Sequence, residues 1–90
     1  MAVVKFTSAL KRFFPDLSTT EIDGNTILEV IQQLESTYPG LVNYLMDEQS
    51  LLRKHVNVFI NGKMIQDRDH LNIPVSTDTE LYFIQALSGG

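Results

Sequence analysis

This sequence of 90 residues offers few side chains whose types and spacing suit catalysis. It contains no cysteine, which excludes a disulfide framework, a cysteine-ligated zinc ion, an iron–sulfur cluster and a thiol nucleophile. It also lacks a plausible nucleophile–base pair and a phosphate-binding glycine loop. We therefore do not expect the chain to be an enzyme.

Two short polar clusters remain as candidates for side-chain chemistry. Asp67, Asp69 and His70 could be metal ligands, but near-adjacent loop residues rarely converge on one ion, and both aspartates suit turns. The basic run from Arg53 to His55 could bind an anion, although such a run directly before a strand is more typical of a solvated loop end. We therefore expect the chain to have no metal site and no bound cofactor.

The end of the sequence is the third candidate. Ser88, Gly89 and Gly90 close the chain shortly after the apolar run 81–84. Exposed glycines contribute nothing to stability, because glycine has the most conformational entropy to lose on ordering. Either this end is frayed, or the terminal carboxylate itself is the functional group.

Composition narrows the remaining classes of protein. The length suits one domain, and 43% hydrophobic with 20% charged residues is ordinary for a globular protein. A net charge of -4 argues against a nucleic-acid partner. No apolar stretch approaches the roughly 20 residues of a membrane span, and the N-terminus lacks a signal-peptide block, so we expect no membrane partner and a cytoplasmic location.

One helix is clearly predicted, over residues 26–38. Thr26 and Glu29 have the spacing of a capping box, in which each side chain accepts a hydrogen bond from an unpaired backbone donor. Pro39 and Gly40 should end the helix. Its apolar stripe, at i, i+3, i+4 and i+7, consists of Ile27, Val30, Ile31 and Leu34.

The strand signals surround this helix. Asn61 and Gly62 predict a type I′ turn, because both positions of that turn need positive φ. Residues 8–16, 47–54 and 67–80 are expected to be loops, and 41–46 one further helical turn. The predicted strands are 2–6, 17–22, the two arms of a hairpin over 55–66, and 81–87.

This order predicts an α+β fold, a ubiquitin-like β-grasp in which a mixed sheet of four to five strands packs on one main helix. The first and last strands should lie side by side in the centre of the sheet. We expect this domain to cover residues 1–87, with residues 88–90 as a flexible tail.

Counting with a period of two assigns the sheet residues to faces. The inward set is Val56, Val58, Ile60, Leu81 and Phe83. Phe59, Tyr82 and Ile84 then lie on the face away from the long helix, where large apolar side chains suggest a contact patch. The alternative is that residues 41–54 fold over them. Leu87 lies between the patch and the tail and should contact the same partner.

Several stretches resemble one known family. A capped helix running into YPGL, the hairpin sequence VNVFING, TDTEL before the last strand and the SGG end are similar to the MoaD/ThiS family of ubiquitin-like sulfur carriers. The resemblance covers essentially the whole chain. Members often have one or two prolines shortly before the diglycine, where this chain has Gln85 and Ala86.

The resemblance implies a function for the tail. An E1-like enzyme would adenylate the carboxylate of Gly90 with ATP, and the product would be converted to a thiocarboxylate. A downstream sulfur-accepting enzyme would then use the sulfur for molybdopterin, thiamin, cysteine or a related metabolite. The alternatives are a ubiquitin-like modifier joined to lysines through the same glycine, and a β-grasp domain that binds partners without covalent chemistry.

Overall fold

A five-stranded mixed sheet, with three helices, forms the described part of this computed structural model, which comprises residues 1–66, 68 and 70–85. Along the chain the elements are β1 Ala2–Phe6, α1 Ser8–Lys11, β2 Thr20–Ile22, α2 Ile27–Thr37, α3 Leu41–Leu45, β3 Val56–Ile60, β4 Lys63–Met64 and β5 Glu80–Gln85.

The strand order confirms the predicted topology. The order across the sheet is β2-β1-β5-β3-β4, with β1 and β5 parallel and every other pair antiparallel. Val4 of β1 lies opposite Leu81 of β5, and Phe83 of β5 lies opposite Val58 of β3. The first and last strands are therefore neighbours at the centre of a ubiquitin-like β-grasp sheet.

The core lies between one face of this sheet and the helices. Alternation along β1 buries Ala2, Val4 and Phe6, and the predicted inward residues of β3 and β5 are buried except for the half-buried Ile60. The helix stripe is fully buried as predicted, with Ile27, Val30, Ile31 and Leu34 each at 0% exposure. Burying apolar area from both layers is the main stabilising contribution.

Local hydrogen bonds set the start of α2. The Thr26 hydroxyl oxygen accepts from the Glu29 backbone N–H at 3.2 Å, which confirms the predicted N-cap. The Glu29 carboxylate reaches back to the N–H of Asn25 at 3.0 Å, one residue earlier than in the usual capping box. Gly24 has φ 153° and lies close to α2. A Cβ added there would be 2.9 Å from the Val30 backbone nitrogen, so glycine suits this position.

The end of α2 and the start of α3 share one carboxylate. Glu35 accepts from the N–H of Gly40 at 2.8 Å and from that of Val42 at 3.1 Å. Gly40 adopts φ 95°, a conformation that glycine reaches without a Cβ clash. The helical turn expected over 41–46 is therefore confirmed as α3, with Leu41 and Leu45 buried.

One element and two strand boundaries differ from the sequence-based expectation. The segment expected to be a loop contains α1, whose Leu10 is fully buried because α1 packs against β5. The second strand begins at Thr20 and not at residue 17, and Leu17 instead contributes its side chain to the core. The last strand begins one residue earlier, at Glu80.

The hairpin agrees with its local sequence. Asn61 has φ 49° and Gly62 has φ 86°, the positive values that a type I′ turn requires. The second arm, β4, is only two residues long. In the described part of the chain, no helix has both the length and the apolar character to cross a membrane.

Candidate functional site

The predicted reactive end lies beyond the described residues, together with the tail positions next to it. These positions are Leu87, Ser88, Gly89 and Gly90. The structure does show where the chain leaves the sheet. Gln85 ends the described part of β5 opposite Val56, and its N–H donates to the Thr7 hydroxyl at 3.3 Å. The tail therefore starts from the central strand, between β1 and β3.

The outer face of the sheet brings together the predicted contact residues. Phe59 and Tyr82 are directly opposite in neighbouring strands, and Ile84 lies two residues further along β5 on the same face. Tyr82 is 38% exposed, whereas Phe59 and Ile84 are half-buried. None of the three belongs to the core cluster or packs against it. They form an apolar surface next to the strand that leads into the tail.

Met64 extends this surface, and sequence reasoning missed it. It lies opposite Phe59 across the hairpin and is 55% exposed. The signal was available, because a two-residue turn at Asn61 and Gly62 fixes which residues of the two arms face each other. We call the surface formed by Phe59, Met64, Tyr82 and Ile84 the sheet-face patch.

The segment 41–54 uses its apolar residues elsewhere. Its buried side chains, Leu41, Leu45, Met46 and Leu52, all belong to the core cluster, and α3 packs against α2. The side chain that the structure shows next to the strand position opposite Ile84 is that of Arg68, a charged residue. Arg68 donates to the Asn57 side chain at 2.7 Å and to the Arg53 carbonyl at 2.8 Å, and Asn57 is opposite Ile84.

One ion pair borders the sheet-face patch. Lys5 lies opposite Tyr82 on β1, and its ammonium is 3.4 Å from the carboxylate of Glu80. Both side chains are about half exposed, at 42% and 50%, so the pair contributes little to stability. Together these residues place both signs of charge at the edge of an apolar surface, which is the usual arrangement of an interface rim.

The basic run has a structural role at its first residue. The Arg53 guanidinium donates twice to the carbonyl of Asn43, at 3.0 and 2.9 Å, which ties the loop after α3 back to that helix. Lys54 and His55 are exposed. This arrangement agrees with a loop end more than with an anion site.

The metal candidates are only partly visible. Asp67 and Asp69 lie outside the described residues, and His70 is exposed. Among the residues that the structure describes, no group of three or more His, Asp or Glu side chains could hold a metal ion.

A contact that sequence reasoning missed lies at the end of β5. The Gln85 side-chain nitrogen donates to the Tyr44 hydroxyl at 3.3 Å, while its oxygen is buried without a partner among the described residues. Tyr44 in turn contacts the rings of Phe13 and Phe14, with centroids 4.9 and 5.8 Å away. No local pattern signals this contact, since the residues are 41 positions apart.

The β-grasp sheet defines a ubiquitin-fold protein, and the comparisons place it in the sulfur carrier and modifier class. The chain belongs to the ThiS family, whose sequence model matches residues 4–90. This confirms the resemblance found in the sequence. Proteins of this class are small carriers and not enzymes in their own right.

Solved structures agree with this assignment. CysO of Amycolatopsis orientalis, determined in a BexX/CysO complex, has a TM-score of 0.85 and 26% identity, with 100% of each chain covered. CysO of Mycobacterium tuberculosis has a TM-score of 0.81 and 22% identity, with 97% of this chain and 100% of that chain covered. SAMP1 of Haloferax volcanii has a TM-score of 0.78 and 22% identity, with 99% of this chain and 98% of that chain covered. The M. tuberculosis and H. volcanii proteins show the shared fold. No curated protein sequence matches the chain.

Proposed function

We propose that this protein is a sulfur carrier. An E1-like enzyme adenylates the carboxylate of Gly90 with ATP, the adenylate is converted to a thiocarboxylate, and the sulfur passes to an accepting enzyme in molybdopterin, thiamin, cysteine or related biosynthesis. The observation that carries this proposal is the match of the ThiS family model through the final Gly89 and Gly90. Because activation consumes ATP, we propose that it occurs in the cytoplasm.

The chemistry explains why the carrier needs no catalytic side chain. A carboxylate is a poor electrophile, so its oxygen first attacks the α-phosphorus of ATP, and pyrophosphate leaves. A sulfur nucleophile then attacks the carbonyl carbon of the mixed anhydride, and AMP leaves. The sulfur is held on the terminal carbonyl, which is consistent with a sequence that contains no cysteine.

The sheet-face patch is suited to present this tail to the activating enzyme. Tyr82 and Ile84 are in β5, the strand that continues into the tail. A partner that binds them therefore holds the starting point of the tail. The six residues that follow Ile84, up to Gly90, span at most about 20 Å when extended, which is the greatest distance that can separate the patch from the nucleotide. We propose Phe59, Tyr82, Ile84 and Leu87 as contacts of this partner.

The A. orientalis relative supports a carrier that works in complexes, because that CysO was determined bound to BexX. The second candidate function is a protein modifier joined through Gly90 to lysines. It is favoured by the shared fold of SAMP1, which is a small archaeal modifier protein. Both functions use the same activation step.

Intact-mass measurement tests the proposal. Incubation with the activating enzyme, ATP and a sulfur donor should replace one oxygen by sulfur on the fragment that ends in Gly90. The protein in a cell lysate should be almost entirely free. A ladder of larger species, carrying tail residues on lysine ε-amines, would instead establish the modifier. If neither product is found, the remaining candidate is a β-grasp domain that binds partners without covalent chemistry.

A further inference from the structure

The surface of α1 is a second face next to the tail. The Thr7 N–H donates to the Phe83 carbonyl at 3.1 Å, and the Thr7 hydroxyl accepts from Gln85, so the start of α1 is joined to the end of β5. Residues 8–14 therefore lie beside the point where the chain leaves the sheet. This side belongs to the helical layer, opposite the sheet-face patch.

Phe13 is the exposed apolar centre of this surface. Its side chain is 58% exposed, although its ring lies 4.9 Å from that of Tyr44 at an angle of 37°. Tyr44 is fixed from other directions by an edge contact with Phe14 and by the Gln85 amide. Phe13 thus packs on a tyrosine that has contacts on other sides, while much of the Phe13 ring is in solvent, which suits an aromatic binding anchor.

Two grooves adjoin Phe13, one on each side along the chain. The first, of about 470 Å³, lies before Phe13 in the chain and is lined by Arg12, Gln85 and residues 7–9. The second, of about 240 Å³, is largely aromatic and is lined by Phe13 itself, Tyr38 and Pro39, with Asp16 at its border. Because one groove is lined by Arg12 and the other by its neighbour Phe13, a single extended segment of polypeptide could contact both.

One end of this surface is positively charged. Lys11 and Arg12 are both exposed, and within the described residues neither forms an ion pair. They are adjacent cations on a chain whose net charge is -4. Because Asp16 is at the other groove, an acidic side chain is favoured beside Arg12 and disfavoured at the aromatic end.

We propose that Arg12, Phe13 and the two adjoining grooves bind an extended acidic segment of a partner protein. An Asp or Glu of that segment pairs with Arg12, and an apolar side chain next to it packs on Phe13 in the aromatic groove. We call this the α1 surface. It binds independently of the sheet-face patch, so a protein on the patch leaves it open. The proposal goes beyond the sulfur-carrier function and does not depend on it.

Selection from a phage-displayed library of random linear peptides on the full chain tests the proposal. The recovered peptides should combine Asp or Glu with a neighbouring aromatic or branched apolar residue. Their affinity should fall about tenfold or more for Phe13→Ala and for Arg12→Glu. Lys54→Glu is the matched control for Arg12→Glu, because it also reverses an exposed positive charge but should change affinity far less.

Amide resonances of the isotope-labelled protein locate the bound peptide. Shifts should concentrate on residues 7–14 and Tyr44, and the affinity should weaken with added salt. Thermal unfolding of both variants checks that they remain folded, as expected for exposed positions. Shifts centred on Tyr82, recovered peptides without acidic residues, or a library that yields no binder would each overturn the proposal. So would retention on phosphatidylserine vesicles that Phe13→Ala abolishes, since this would assign the surface to a membrane.

Discussion

Gln85 and Tyr44 form the one side-chain hydrogen bond that joins the end of β5 to α3 in the described part of the chain. The Gln85 nitrogen donates to the Tyr44 hydroxyl at 3.3 Å, and the Gln85 oxygen is buried with no partner among the residues that the structure describes. Exchanging the oxygen and nitrogen of the amide would still leave one polar atom unpaired. Gln85 therefore joins the end of the described part of β5 to α3.

This arrangement predicts that two substitutions are not additive. Tyr44→Phe leaves the whole Gln85 amide unpaired and should lower the free energy of unfolding by about 1–2 kcal/mol. The double variant Tyr44→Phe with Gln85→Met should recover most of that loss, because no buried polar atom is left without a partner. Urea unfolding of the two single variants and the double variant measures both effects. A double variant as unstable as the sum of the singles would contradict the interpretation.

Two glycines with positive φ should differ in their tolerance of alanine. Gly62→Ala should cost about 1–2 kcal/mol, the cost of a left-handed conformation alone, because no atom lies within 4 Å of the added Cβ. Gly24→Ala should cost more, since its Cβ would lie 2.9 Å from the Val30 backbone nitrogen and 3.0 Å from the Val30 side chain. Thermal or urea unfolding ranks the two variants. Equal losses would show that the chain near α2 relaxes freely.

The sheet-face patch should matter for binding more than for folding. Phe59→Ala, Tyr82→Ala and Ile84→Ala should each weaken binding to the activating enzyme by about 1–2 kcal/mol, because they truncate an interface contact. Val58→Ala is the matched control from the same strand, and burial at 0% predicts a stability loss of about 2 kcal/mol. Calorimetric titration and urea unfolding separate the two effects. Unchanged affinity in all three patch variants would refute the patch.

Gly90 should be needed for activation and not for folding. The core cluster lies within residues 2–83, so deletion of Gly90, or one residue added after it, should leave the thermal midpoint unchanged. Either change should abolish adenylation, because the terminal carboxylate would then lie one residue short of its reacting position or one residue beyond it. Pyrophosphate release with the activating enzyme measures this step. Continued adenylation of the shortened chain would contradict the proposed role of the tail.

Local backbone chemistry made several features predictable from the sequence alone. Thr26 and Glu29 mark the start of α2, and Asn61 with Gly62 mark the hairpin turn, because each depends on hydrogen bonds or φ angles within a few residues. Alternation along β3 and β5 separated buried Val58 from outward Phe59 for the same reason. The central pairing of β1 with β5 followed once these elements were placed in order.

The tertiary structure decided what depends on contacts between distant residues. The short helix α1 forms where a loop was expected, because Leu10 is buried by packing against β5 and not by a periodic pattern of its own. Gln85 contacts Thr7 and Tyr44 across 78 and 41 positions, and Met64 joins Phe59 only through the register of the hairpin. Such contacts are selected by the packing of the whole sheet and helical layer, whereas sequence patterns record only each segment's own preference.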